Sequence, residues 1–123
     1  MISRFLCLLL ILFYVLTSYA QSTQVDLNGK WTLTDIETDK SYDAEVPGTA
    51  HTDLLNNNII PDPYYRNNEQ TLKYLENKNW KYSRQFELSA TDLQYSNIEL
   101  VCDGLDTYAE IIIHGHPLAK TDN

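Results

Sequence analysis

The sequence predicts an all-β fold, an antiparallel β-sandwich. Apolar residues recur at a period of two over short stretches. Turn-forming residues interrupt these stretches often, and no strand alternates with a long helical pattern as a βαβ unit would require. A length of 123 residues allows one domain at most.

The elements follow in order. Gln21 to Asp26 is polar and aperiodic, a flexible leader into the domain. Asn28-Gly29 precedes Trp31-Thr32-Leu33-Thr34-Asp35-Ile36, which alternates and is rich in β-formers; strand one is expected there, with Trp31 and Leu33 inward. Thr38 to Asp43 reads as a polar turn region, and Ala44 to Val46 as a short second strand stopped by Pro47. His51 to Asn56 suits one helical turn, capped by Thr49 and ended by the Asn56-Asn57-Asn58 run. Asn68 to Asn77 carries Leu72 and Leu75 at helical spacing, with Glu69 at its start.

Trp80 to Leu88 has the cleanest alternation. Trp80, Tyr82, Phe86 and Leu88 share one face, Lys81, Ser83, Gln85 and Glu87 the other, and Arg84 is the odd member of the inner face. Ser89 to Ser96 is a polar connection. Ile98, Leu100 and Cys102 alternate in an expected further strand, with a turn at Asp103-Gly104. Ala109, Ile111 and Ile113 then oppose Tyr108, Glu110 and Ile112. His114-Gly115-His116-Pro117 closes a hairpin, and Leu118-Ala119 starts the return strand.

One segment is shaped differently. Val46 to Glu69, VPGTAHTDLLNNNIIPDPYYRNNE, holds three of the four prolines and a dense mix of aromatic, amide, cationic and acidic side chains. Pro47-Gly48 is turn chemistry, and Pro61 and Pro63 stiffen the backbone around Asp62. Stiff loops on a scaffold are where ligand groups usually sit.

At the N-terminus, Arg4 precedes an unbroken apolar run from Phe5 to Leu16, and Ser18-Tyr19-Ala20 offers a small-x-small cleavage site. Residues 1–20 are therefore expected to be a cleaved secretory signal peptide, since the run is too short to span a bilayer. Cleavage removes Cys7 and leaves Cys102 alone, so no internal disulfide forms; Cys102 reads as a small buried hydrophobe of its strand. Net charge is −8, or −9 without Arg4, with scattered acids. Phosphate backbones and anionic membranes are repelled by such a surface, which argues against nucleic acid or lipid partners; a neutral sugar is indifferent to it.

The order of motifs resembles the N-terminal domain of the β-mannosidases of glycoside hydrolase family 2. The matching stretches are Leu27-Asn28-Gly29-Lys30-Trp31, Val46-Pro47-Gly48-Thr49, His51-Thr52-Asp53-Leu54-Leu55, the run IIPDPYYRNNE, Trp80-x-Tyr82, Gly104-Leu105-Asp106-Thr107-Tyr108-Ala109 and Thr121-Asp122-Asn123. The resemblance implies a jelly-roll, galactose-binding-like domain, residues 21–123. It also implies that the chain is incomplete at the C-terminus, because five strands are legible where a two-sheet jelly roll uses about eight. Family catalysis uses two glutamates of a separate (β/α)₈ barrel, with no cofactor, so the missing barrel is the partner expected to break the bond.

Within the chain, the resemblance points to the proline-framed loop as one wall of the sugar site. Tyr64 and Tyr65 have faces for sugar C–H groups, and Arg66, Asn68 and Glu69 have groups for paired hydroxyls. Packing against the barrel, with Arg66 in an ion pair, is the competing reading. Asp62 and Glu69 are unsuited to be a catalytic pair: Asp62 braces its turn and Glu69 starts a helix. Trp31 and Trp80 read as core, and Asp106 as a turn residue with Tyr108 covering the core. His114 and His116 lack further metal ligands and read as a hairpin tip. No Gly-x-Ser-x-Gly stretch, phosphate loop or glycosylation sequon occurs. The alternatives to an enzyme's scaffold domain are a free-standing carbohydrate-binding module and an inactive fragment.

Overall fold

A computed structural model describes residues 22–122. The segment read as a signal peptide lies outside them. The chain divides between Glu87 and Leu88 into two compact units.

The first unit is built on an antiparallel sheet of order β2-β1-β3, formed by β1 (Gly29–Asp35), β2 (Lys40–Val46) and β3 (Trp80–Ser83). β1 pairs β2 from Gly29↔Val46 to Asp35↔Lys40, and pairs β3 from Thr32↔Ser83 to Asp35↔Trp80. Helix α1 (Ala50–Asn56) and helix α2 (Asn68–Leu72), the latter continued by a 3₁₀ turn at Lys73–Asn77, lie between β2 and β3 in sequence. Their apolar residues meet those of the sheet: Leu33, Ala44, Leu54, Ile60, Leu72 and Leu75 form the buried core, with Trp31, Tyr42, Trp80 and Tyr82 packed against it.

β2 is longer than expected. Lys40 to Asp43 is strand, not turn, and the turn occupies residues 36–39 with Asp39 at φ 56. Tyr42 and Ala44 face the core at a period of two, while the polar residues alternating with them, among them Ser41 with its Oγ 2.9 Å from Thr34 Oγ1, give the segment the composition of a turn. Edge strands commonly carry such polar residues. β3 ends at Ser83, five residues before the expected limit, and Phe86 is exposed. Arg84 explains the early end: its Nη1 donates to the carbonyls of Leu27 (2.8 Å) and Asn28 (2.5 Å). The side chain turns from the ladder to clamp the segment that leads into β1. The Trp31 indole N–H donates to the same Leu27 carbonyl at 2.7 Å.

At the far end of β1, Asp35 is buried and receives Lys78 Nζ at 2.6 Å, and Glu37 lies 3.3 Å from the same ammonium. The hydrogen bond from Lys78 holds the Asp35 carboxyl below its ordinary value, and Asp35 in turn raises the Lys78 pKa.

The second unit holds a hairpin, β4 (Tyr108–Ile113) and β5 (His116–Asp122), paired from Tyr108↔Asp122 to Ile113↔His116 with an irregularity between Ile111 and Ile112. His114 and Gly115 form its tip at φ 51 and 78, the signature of the two-residue turns that match strand twist. Ala109, Ile111 and Ile113 form the more covered face, as the alternation predicts. Tyr108 is on the other face and 78% exposed, so it does not cover a core. Ile98, Leu100 and Cys102 form no strand, and all three are exposed. A period of two produces a strand only where a neighbour supplies the ladder, and among the described residues none pairs with this segment. Among the described residues every strand pair is antiparallel, as the fold class requires.

A depressed carboxylate pKa adds stability that is complete above the unfolded value of 3.8 and is lost as pH falls through the lower folded value. Urea midpoints of the wild type are therefore expected to fall over that acid range, whereas Asp35→Asn removes this component of the slope. An identical acid slope in the variant would show that Asp35 is not coupled to folding. Truncating Leu54, which is 1% exposed, is expected to cost about 2–5 kcal/mol in the same measurement.

Candidate functional site

The loop between β2 and the 3₁₀ turn is positioned by α1. Thr49 sits in extended geometry at the helix N-cap, and its hydroxyl accepts the Thr52 N–H at 3.2 Å. Gly48 is required for a close approach: a Cβ there would collide with the Glu45 carbonyl oxygen. The chain thus folds tightly back before α1 begins, and Asp53 is delivered to the sheet.

Asp53 is 3% exposed and joins three elements. Its Oδ1 accepts the Glu45 N–H of β2 at 3.1 Å, and its Oδ2 accepts the Tyr82 hydroxyl of β3 at 2.7 Å. Burial, with the bonded carboxylate, raises the Tyr82 pKa well above 10.0, so the phenol stays a donor. The Asn57 side-chain amide donates to the Asp53 carbonyl at 2.7 Å and to the Asp43 carbonyl at 2.8 Å, closing the helix C-terminus onto β2. Sequence reasoning gave Asp53 no role. Its signal is an acid next to the core residue Leu54 on a short helix, a place where a carboxylate must find donors.

The proline-framed loop leaves the core at Ile60, which is 4% exposed, and returns to it at Leu72, 6% exposed. Asp62 braces it as expected: its Oδ1 accepts the Tyr64 N–H at 2.9 Å, and its carbonyl accepts the Tyr65 N–H at 3.2 Å. Asn68 Nδ2 donates to that same carbonyl at 2.8 Å, so this amide holds the turn. Glu69 is exposed in the first turn of α2.

Tyr64 is 96% exposed and Tyr65 57% exposed. Arg66, at φ 55, places its guanidinium 5.1 Å from the centre of the Tyr65 ring. The stack orients Tyr65 and keeps the cation beside an aromatic face. Tyr64, Tyr65 and Arg66 therefore share one projecting turn, Asn68 lies beneath it as a brace, and Glu69 follows on the helix. An exposed aromatic pair with a fixed cation can stack on an apolar face and bond adjacent polar groups. It contains no nucleophile and no paired carboxyls. A separate open depression, lined by Thr32, Ser41, Tyr42, Asp43 and Asn57, is polar and shallow. Among the described residues no three His, Cys, Asp or Glu side chains could hold a metal ion, and no helix is long and apolar enough to cross a membrane.

Comparison with known proteins places these features in a family. Residues 31–123 match the family described as glycosyl hydrolase 2 galactose-binding domain-like. Beta-mannosidase of Capra hircus is 34% identical over 99 residues, which are 80% of this chain and 11% of the goat protein. Beta-mannosidase A of Emericella nidulans is 40% identical over 96 residues, 76% of this chain and 10% of the fungal protein. The crystal structure of Beta-D-Mannosidase from Dictyoglomus thermophilum superposes with a TM-score of 0.73 at 34% identity, over 80% of this chain and 12% of that one. The chain thus spans about a tenth of the length of these relatives.

Asp53→Ala strands a buried N–H and a half-buried phenol, and is expected to cost about 1–3 kcal/mol by chemical denaturation. Asp53→Asn should cost clearly less, because its carbonyl still accepts from Glu45 and its amide can donate to a rotated Tyr82 hydroxyl. Equal losses in the two variants would show that the bridge is not a hydrogen-bonded one.

Proposed function

The chain belongs to the glycosyl hydrolase 2 galactose-binding domain-like family, and on that premise we propose that it is the N-terminal scaffold domain of a β-mannosidase. The enzyme it helps build hydrolyses terminal, non-reducing β-D-mannose residues of oligosaccharides. The family match over residues 31–123, joined to 34–40% identity with named β-mannosidases, carries this reading.

Catalysis falls to the barrel domain. A retaining glycosidase needs two carboxyl groups ~5–5.5 Å apart, one as nucleophile and one as acid and then base, and passes through a covalent glycosyl-enzyme with no cofactor. The projecting turn of this chain has no such pair. Its part is to line one side of the mannose site. Tyr64 and Tyr65 face the sugar ring, Arg66 and Glu69 meet its hydroxyls, and Asn68 fixes the turn on which they stand, itself near enough in sequence to offer a bond. The apolar segment behind Arg4 sends the chain into the secretory pathway, toward the lysosome, the periplasm or the outside of the cell.

The exposure of both tyrosines also favours a second reading, a carbohydrate-binding module that works alone. The two are separated by experiment. The purified chain is expected to release no mannose from an aryl β-mannoside, and to bind mannosides too weakly to saturate. Saturable binding by the isolated chain would favour the module. In the assembled enzyme, Tyr64→Ala with Tyr65→Ala is expected to raise KM several-fold with kcat little changed, the pattern of lost uniform binding. An unchanged KM with a lowered melting temperature would assign the turn to packing against the barrel.

A further inference from the structure

Asn28-Gly29 is the one Asn-Gly pair in the sequence; every other asparagine with a successor is followed by a residue that carries a Cβ. Asn28 is exposed, and among the described residues no hydrogen bond holds its side-chain amide, in contrast to Asn57 and Asn68, whose amides are tied to carbonyls. Its main chain is held firmly. The Asn28 N–H donates to Asp26 Oδ1 at 2.8 Å, and the Asn28 carbonyl oxygen accepts Arg84 Nη1 at 2.5 Å. Gly29 sits at φ 99, and the direction in which a Cβ would point is open space. The Cβ side of Gly29 is therefore open, and the carbonyl of the Asn28-Gly29 amide is polarised by a guanidinium.

We propose that Asn28 is a site of spontaneous modification, converted chiefly to isoaspartate, and that Arg84 is the positioning residue that sets this outcome. The Gly29 backbone nitrogen loses its proton to solvent and attacks Asn28 Cγ. A new N–C bond closes a five-membered succinimide, and the bond from Cγ to the side-chain nitrogen breaks, releasing ammonia. A missing Cβ on the following residue is what lets that nitrogen approach. Arg84 withdraws electron density from the carbonyl of the attacking amide, which makes the Gly29 N–H easier to deprotonate. Water then opens the ring at one of its two carbonyls. Attack at the main-chain carbonyl carbon sends the peptide link through Cγ and frees the former main-chain carbonyl as a carboxylate. That oxygen is the one Arg84 already holds, so the cation both activates this carbonyl and pairs with the product anion.

The structural result is specific. Isoaspartate adds one carbon to the backbone directly before β1, at the point where Gly29 pairs with Val46. It also places a new charge beside Asp26.

The test is an ageing experiment on the purified chain at neutral pH and body temperature. Peptide mass spectrometry follows the gain of about 1 Da that replaces an amide by an acid, and an isoaspartate-specific methyltransferase reads the product ratio. The gain is expected at Asn28 ahead of every other asparagine, with an isoaspartate-to-aspartate ratio about two-fold or more above that of a free peptide spanning residues 24–34, since a charge-assisted hydrogen bond is roughly twice as strong as a neutral one. Arg84→Gln should bring the ratio down to that of the peptide, and Arg84→Lys, which keeps the cation, should hold it up; circular dichroism confirms that both variants are folded. No gain at Asn28 after the free peptide has fully converted overturns the site. A ratio equal to the peptide's, or unchanged in Arg84→Gln, overturns the role of Arg84.

Discussion

A buried carboxylate must be met by donors or it will not stay buried, and much of the first unit follows from how Asp53 meets that demand. One oxygen takes a backbone N–H from β2 and the other takes a phenol from β3. Those two strands are the outer members of their sheet, separated by β1, so a single side chain on α1 ties both edges to the helix that covers them. The tight return at Gly48, the Thr49 cap and the amide of Asn57 set the position of α1, and Leu54 beside Asp53 fills the core beneath it. Polar and apolar anchors here occupy adjacent residues of one short helix. Such a helix has little stability of its own and depends on these tertiary contacts.

Polar clamps recur at both ends of β1. Arg84 and the Trp31 indole converge on Leu27 at its start, and Lys78 joins Asp35 and Glu37 at its finish. The central strand is thus fixed along its length by interactions that the small apolar core alone would not provide. In a domain with few buried large side chains, such satisfied polar contacts define the register more than they add to the total stability.

Much of this architecture was legible in the residues. Alternation placed β1, the start of β3 and the β4–β5 hairpin, and the Thr49 cap placed α1 within a residue. His114-Gly115-His116-Pro117 marked the hairpin, but the turn needs only His114 and Gly115 at positive φ, and the return strand starts at His116, two residues before the expected Leu118. The failures have physical causes. β2 carries Tyr42, Ala44 and Val46 at a period of two, but Lys40, Ser41 and Asp43 among them give its first half a turn's composition. Arg84 looked like an error in the inner face of β3, although its long side chain leaves the ladder to serve two carbonyls. Ile98, Leu100 and Cys102 have a strand's pattern without a strand's partner. At the projecting turn the loop, its proline frame and the bracing role of Asp62 were readable. That the Asn68 amide points inward to the Asp62 carbonyl was not, because composition shows which groups can bond but not which bond they choose. Asp53 stands in a matching stretch but without a role of its own, for the opposite reason: a single acid beside leucines shows no chemistry, only a need that the folded chain must answer.

Ile60 and Leu72 enclose the projecting turn like two pegs, both sunk in the core, while all but Pro63 and Asn68 of the residues between them are exposed. A change at Tyr64, Tyr65 or Arg66 leaves those pegs undisturbed, whereas a change in the number of residues between them would strain both. The turn can therefore be rewritten letter by letter but not lengthened cheaply, which makes it a natural place for a lineage to experiment with what it touches while the scaffold below is inherited intact.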